Sequence, residues 1–121
     1  MVKTQCAVAA LCCMLLATGG ASADGYLSGA DLPKAIIGKS LASTTKRGIP
    51  YVIIFEANGT GMNKATNGRF ADPITWDIKG DVICFRGALS GTECNRVRSV
   101  GGKYDFIDST SGSLNNTYTV P

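Results

Sequence analysis

The segment 76–86 constrains the fold of this chain more than any other. It holds Gly80-Asp81, a dipeptide suited to a two-residue hairpin turn, between two stretches in which apolar and polar residues alternate. Closing the chain at this turn predicts four cross-strand pairs: Lys79 with Val82, Ile78 with Ile83, Asp77 with Cys84, and Trp76 with Phe85. Because side chains alternate between the two faces of a strand, one face of this hairpin is wholly apolar. The segment therefore predicts an antiparallel hairpin with a fixed register.

The N-terminal residues have the pattern of a secretory signal peptide. Lys3 precedes an apolar stretch, and Ala21-Ser22-Ala23 has the small-x-small pattern of a cleavage site. We expect residues 1–23 to be removed, which leaves one domain over residues 24–121 in the periplasm or outside the cell. A membrane anchor is the alternative, but about 20 apolar residues are needed to cross a bilayer and Gly19-Gly20 interrupts the run. We therefore expect no membrane span after cleavage.

Removal of this leader leaves an even pair of cysteines. Three of the five cysteines, Cys6, Cys12 and Cys13, lie in the leader, so that Cys84 and Cys94 remain. In an exported protein such a pair predicts a disulfide. A redox site usually has the spacing C-x-x-C, and a metal site needs more ligands than two cysteines in a chain without histidine. We therefore expect a structural disulfide and neither a metal nor a cofactor.

The charge balance argues against nucleic acid as a partner. The formal net charge of the whole chain is +3, and Lys3 would leave with the leader and lower it to +2. Such a small excess, scattered along the chain, does not form the basic patch of a nucleic-acid-binding domain.

The remaining sequence predicts one short helix followed by a series of strands. Ser28-Gly29-Ala30-Asp31 has the form of a capping box and Gly38 is a natural stop, which together predict a helix over residues 29–37. Turn dipeptides then separate short runs of β-branched and aromatic residues. The turns are Asn58-Gly59, Asn67-Gly68, Gly80-Asp81 and Gly101-Gly102. The predicted inward residues of the later strands are Trp76, Ile78, Ile83, Phe85, Val97, Tyr104, Phe106, Leu114, Tyr118 and Val120. This spacing predicts an all-β fold, an antiparallel meander that forms a small barrel or half-barrel.

Three arginines lie near the predicted disulfide. If Cys84 faces away from the core, alternation places Arg96 and Arg98 on the outer face with Arg86, while Val97 joins the core. Guanidinium groups beside a rigid crosslink suit a carboxylate, sulfate or phosphate group of a partner. The nearest acids would be Asp77 and Glu93. A solvated basic face that guards against edge-to-edge aggregation is the alternative.

Trp76 has two interpretations. It could line an apolar cavity in the mouth of the barrel, together with Phe85, Tyr104 and Phe106. It could also simply belong to the core, because a domain this small has few large apolar residues to spare for an empty pocket.

None of the apparent catalytic motifs in the sequence is complete. The absence of histidine excludes a serine hydrolase of the usual kind, and a phosphate-binding loop ending at Gly38-Lys39-Ser40 would need a glycine where Pro33 stands. We therefore expect a non-enzymatic binding module for an envelope protein or a small anionic ligand. Its ligand-binding residues would be Arg86, Arg96, Arg98 and Trp76. Two alternatives are an inhibitor of an exported hydrolase that presents the loop 87–92, and a small hydrolase that uses carboxylates, although no acid pair stands out.

From Leu27 onward the order of motifs supports a resemblance. The segments that carry it are 27–32 (LSGADL), 38–41 (GKSL), 55–60 (FEANGT), 76–85 (WDIKGDVICF), Cys94 and 104–106 (YDF). In these features the chain resembles a family of small exported bacterial proteins of unknown function with a lipocalin-like, meander-built β fold. The resemblance implies the fold and a location in the cell envelope, and it implies no active site.

Overall fold

In residues 25–121, eight antiparallel strands follow one another around a closed barrel, preceded by one short helix. These residues are the part of the chain that the structure, a computed structural model, describes. The predicted leader lies outside the described residues, with its cleavage site and three cysteines. The prediction of an all-β meander with one helix is confirmed, and the sheet closes fully rather than forming a half-barrel.

The elements are short and evenly spaced. The helix is α1 (Leu32–Ile36), and the strands are β1 (Ser40–Thr44), β2 (Pro50–Phe55), β3 (Thr60–Ala65), β4 (Ala71–Lys79), β5 (Val82–Gly87), β6 (Gly91–Val100), β7 (Lys103–Asp108) and β8 (Leu114–Thr119). Each strand pairs with its neighbours in the chain, and β1 pairs with β8 to close the barrel through the single register pair Ala42 and Thr119.

The predicted hairpin between β4 and β5 is confirmed in its register. All four expected pairs are present: Lys79 with Val82, Ile78 with Ile83, Asp77 with Cys84, and Trp76 with Phe85. The predicted disulfide is confirmed as well, since Cys84 and Cys94 are bonded across the neighbouring hairpin of β5 and β6. Among the turns, Gly59 and Gly68 have φ of +87° and +80°, a conformation that favours glycine and explains both Asn-Gly dipeptides.

The helix is shorter than predicted. It spans Leu32–Ile36 rather than 29–37, because Ile37 is already extended and forms a bridge with Phe55. The capping box forms only in part. The Ser28 hydroxyl accepts the Asp31 N–H at 3.3 Å, but the Asp31 carboxylate accepts the Ser28 hydroxyl at 3.0 Å instead of a backbone N–H.

The helix closes one end of the barrel. Leu32 and Ile36 are fully buried in the apolar cluster inside the barrel. Backbone bonds fix this position: the Gly38 N–H donates to the Phe55 carbonyl at 2.7 Å, and the Gly29 N–H donates to the Asp81 carboxylate at 2.7 Å. We call this the plugged end, which also carries the turns after β2, β4 and β6. The open end carries the connections after β1, β3, β5 and β7.

The predicted core is largely confirmed, with two exceptions in the last strand region. Val97, Phe106 and Tyr118 are buried, whereas Leu114 and Val120 are 57% and 40% exposed. A register shift between Phe106 and Ile107 breaks the simple alternation opposite the start of β8, and Val120 lies beyond the end of that strand. The expectation that these two residues face the core was wrong. In the described part of the chain, no helix is long and apolar enough to cross a bilayer.

Candidate functional site

The three predicted arginines all lie on the outer face but do not form one cluster. Cys84 stands opposite Cys94, and Arg86 stands opposite Thr92 on the open-end side of the crosslink. Arg96 and Arg98 follow on the other side, so that Arg86 and Arg96 are separated by four residue steps, roughly 13 Å. The disulfide therefore divides the basic face into a single exposed arginine and a pair.

The pair packs against the N-terminal segment of the described chain. Tyr26 forms a bridge with Arg98, and its ring centroid lies 4.1 Å from Arg96 Cζ and 5.6 Å from Arg98 Cζ. Both guanidinium groups are thus within range of cation–π attraction. Arg98 also forms an ion pair of 3.2 Å with Asp105, whose other oxygen accepts the Thr117 hydroxyl at 2.8 Å.

For Arg98, the expected acid was wrong. Its partner is Asp105 on β7 rather than Asp77 or Glu93. Asp77 lies 3.9 Å from Lys79, and Glu93 hydrogen-bonds Asn95. Since β7 follows β6 around the barrel, Arg98 and Asp105 are directly paired across the strands, a contact that the turn at Gly101-Gly102 could have predicted.

Trp76 lies at the plugged end of the barrel. Its ring makes an edge contact with Phe55 at 6.1 Å between centroids, and its indole N–H donates to the carbonyls of Glu56 and Thr60 at 2.8 and 2.9 Å. It packs against the apolar cluster and is half-buried. These contacts are those of a core residue that also anchors the β2–β3 turn.

The open end holds a loop that sequence reasoning proposed only as an inhibitor segment. Asp72, which is 2% exposed, accepts three hydrogen bonds through one carboxylate oxygen: from Leu89 N–H at 3.1 Å, Ser90 N–H at 2.7 Å and the Ser90 hydroxyl at 2.6 Å. These bonds hold the pKa of Asp72 below its ordinary value, the Ser90 hydroxyl first, against the opposing effect of burial. Leu89 at the tip of this loop is 70% exposed.

A chain of polar side chains continues from this end into the barrel. Asn115 donates to Asn95 at 2.7 Å, and Asn95, which is fully buried, donates to Glu93 at 2.8 Å. Nearby, the hydroxyls of Tyr51 and Tyr118 lie 3.0 Å apart and form a buried hydrogen bond. The half of the barrel towards the open end is therefore lined with polar groups, whereas the half towards the helix is apolar.

Two acids at this end differ in their environment. Burial raises the pKa of Glu93, with the bond from Asn95 opposing it and the charge of Asp108 adding to it. Backbone N–H groups of Ser111 and Thr110 lower the pKa of Asp108. Sequence analysis found no acid pair, yet these two interact because Asp108 stands opposite Asn95 across β6 and β7.

A signal for these polar residues was present in the sequence. Asp72 alternates with Ile74 and Trp76, and Asn95 alternates with Val97, so the period of two places both polar residues on the inward face. No three His, Cys, Asp or Glu side chains within residues 25–121 gather as a metal site. Comparison of the chain with protein-family models, curated proteins and solved structures gave no significant match.

Proposed function

We propose that this chain is an exported, non-enzymatic binding module that presents its β5–β6 hairpin to a partner protein of the cell envelope. The proposal rests on the three hydrogen bonds by which the buried Asp72 carboxylate fixes the loop 88–90. It keeps Leu89, at 70% exposure, at the tip of a fixed loop. A single exposed leucine is common on protein surfaces, but solubility does not require a buried carboxylate that fixes the loop carrying this leucine.

The hairpin is preorganised along its length. The Cys84–Cys94 bond crosslinks its two strands below the loop, and Arg86 projects from its outer face between crosslink and tip. A rigid hairpin loses little conformational entropy on binding, so more of its contact energy remains as affinity. We infer a partner with an apolar socket for Leu89 and an acidic group in reach of Arg86.

The test is capture of a partner from an envelope extract with the oxidised protein, followed by crosslinking from the hairpin. Leu89→Asp should abolish capture and Arg86→Ala should weaken it. Val100→Asp changes an exposed apolar residue at the plugged end and Arg96→Ala an arginine beyond the crosslink, so both controls should bind as the native protein does. Equal capture by all four variants would refute the role of the hairpin.

An inhibitor of an exported hydrolase is a specific form of this proposal. The crosslinked loop 87–92 would then occupy the hydrolase cleft, and its rigidity would slow its own cleavage. Reduction of the disulfide should lose inhibition before the β-sheet signal in circular dichroism is lost. Simultaneous loss of both would leave no separate role for the loop.

A small anionic ligand on the outer face is the second candidate, because Arg96 has no carboxylate within ion-pair distance among residues 25–121. Arg98 already pairs with Asp105, so Arg96 would carry most of the site. Sulfate titration of native protein and of the triple variant of Arg86, Arg96 and Arg98 to alanine tests it. Equal responses would rule out the arginine face.

The location in the periplasm or outside the cell is part of the proposal. It is supported by the leader pattern in residues 1–23 and by the disulfide, a bond that persists in oxidising compartments.

A further inference from the structure

The open end of the barrel contains two adjoining cavities that the hairpin does not explain. Their volumes are about 230 Å³ and 250 Å³, and both are lined by Asn63 and Phe70. The first also touches Thr45, Lys46, Tyr51, Asn115 and Asn116, and the second touches Leu89 and Ser90. Phe70 therefore lies between the two cavities at the open end of the barrel.

The chemistry of the lining is that of neutral hydrogen-bonding groups. Three carboxamides and three hydroxyl groups surround an aromatic ring, and Lys46, an exposed residue, is the one charged side chain among the described residues that line the cavities. A site for an anion would carry several cations, and a site for a cation would carry a carboxylate. The lining instead suits a ligand with many groups that both donate and accept hydrogen bonds.

Asn63 provides an acceptor without a partner. The Ser90 hydroxyl has one proton, which it donates to Asp72, so Ser90 Oγ must accept from Asn63 Nδ2 at 2.9 Å. This fixes the orientation of the amide, and Asn63 Oδ1 is buried with no hydrogen-bond partner in the described part of the protein. A buried oxygen left unpaired is costly, and a ligand hydroxyl that reached it after a small side-chain movement would satisfy it.

Asn115 is oriented in a similar way. Its Nδ2 donates inward to Asn95 at 2.7 Å. The amide donor is thus directed to the protein, and Asn115 Oδ1 is the atom of this side chain that can accept from a ligand. The two amides reach the first cavity from β3 and β8, on different sides of the mouth.

We propose that the open end of the barrel binds the end of a neutral saccharide, one or two sugar rings long. The C–H face of a ring packs on Phe70, and its hydroxyls donate to Asn63 Oδ1 and Asn115 Oδ1. Cavities of this size fall just below the usual range of ligand pockets, about 300–1,000 Å³, which limits the ligand to a short segment. This proposal does not rest on the partner of the hairpin, although Leu89 and Ser90 of the hairpin loop also line the second cavity.

The test is titration of the oxidised, isotope-labelled protein with glucose, N-acetylglucosamine, cellobiose, maltose and chitobiose, followed by NMR. At least one sugar should shift the side-chain amide signals of Asn63 and Asn115 in a saturable way. Phe70→Ala and Asn63→Ala should weaken that affinity by roughly tenfold each. Asn58→Ala removes an asparagine at the plugged end and should bind as the native protein does.

The amide spectra of the variants are first compared with that of native protein to check that they fold. If Phe70→Ala does not fold, Phe70→Leu, which keeps an apolar side chain, replaces it. Binding that Phe70 and Asn63 variants leave unchanged, or no saturable shift with any of the five sugars, would overturn the proposal. Release of reducing ends from the disaccharides, lost in Glu93→Gln, would overturn it in favour of carboxylate hydrolysis. Arg86→Ala, which leaves the lining of both cavities intact, should weaken capture of the partner and leave sugar affinity unchanged, so failure of the hairpin proposal and failure of this one are distinguishable.

Discussion

The hydroxyl of Ser90 donates to the carboxylate of Asp72 at 2.6 Å, between a loop and the interior of the barrel. The two residues are 18 positions apart in the chain, on the β5–β6 connection and on β4. Through this bond and the two backbone bonds beside it, one buried side chain orders the loop that carries Leu89. The most exposed part of the proposed binding surface thus depends on one of the least exposed polar residues.

Asp72→Asn should loosen this loop without unfolding the barrel. All three bonds go to one charged oxygen, and a neutral amide oxygen is a weaker acceptor for them, so we expect faster hydrogen exchange at the Leu89 and Ser90 N–H groups and a lower Tm. Asp77→Asn, on the outer face, is the matched control and should leave exchange at the loop unchanged. Protection of the Leu89 and Ser90 amides in Asp72→Asn equal to that in native protein would contradict this role.

Because of the same carboxylate, the free energy of unfolding should decrease as the pH becomes acidic. Because the pKa of Asp72 is lowered on folding, its contribution is present above its unfolded pKa of about 3.9 and is lost as pH falls through the folded pKa. Asp108 contributes in the same direction. In urea unfolding between pH 6 and pH 2, the free energy of unfolding should fall less in Asp72→Asn than in native protein. An equal fall in both proteins would contradict this prediction.

Gly87→Ala should disturb the same contact from the opposite strand. A Cβ at Gly87 would lie 2.5 Å from Asp72 Oδ2 and 2.9 Å from Ile74 Cγ2, so the carboxylate would have to move. We expect destabilisation of about 1–3 kcal/mol in urea unfolding, as for other overpacked interiors. Ala88→Gly, one residue along, is the control for local flexibility. A Gly87→Ala protein with native stability would mean that the barrel adapts at this position.

Removal of the disulfide should lower stability without changing the fold. The crosslinked residues are 10 positions apart, and closure of so short a loop contributes about 2–3 kcal/mol on the chain-entropy model. The double variant Cys84→Ser with Cys94→Ser should therefore unfold at lower urea concentration. Adding a reductant should shift the native midpoint towards that of the variant and leave the variant itself unchanged.

The tyrosine pair should resist ionisation at alkaline pH. Burial is the main cause that raises the pKa of both Tyr51 and Tyr118, so the folded protein keeps them neutral. Their contribution is fully present below the unfolded tyrosine pKa of about 10 and declines as pH rises through the folded pKa. Ultraviolet titration should show fewer ionising tyrosines in folded than in unfolded protein. The double variant to phenylalanine should remove that difference.

Much of this fold was determined locally by the sequence. The two-residue alternation of β4 and β5, with a glycine turn between them, fixes which side chains face each other, and the same alternation places Cys84 and Cys94 together on the outer face. These features depend on neighbours close in the chain, so the pattern of residue types is sufficient to predict them. The fully buried Val97 and Phe106 follow from the same rule.

Only the tertiary structure decided which polar groups meet. Closure of the barrel between β1 and β8 rests on residues more than 70 positions apart, and the bulge at Phe106 and Ile107 sets where β8 begins to face inward. The contact of Asp72 with the loop, the free oxygen of Asn63 and the position of Tyr26 under Arg96 each need the curvature and stagger of the closed sheet. Alternation assigns a side chain to a face, but its neighbours around a barrel depend on how all eight strands tilt and close.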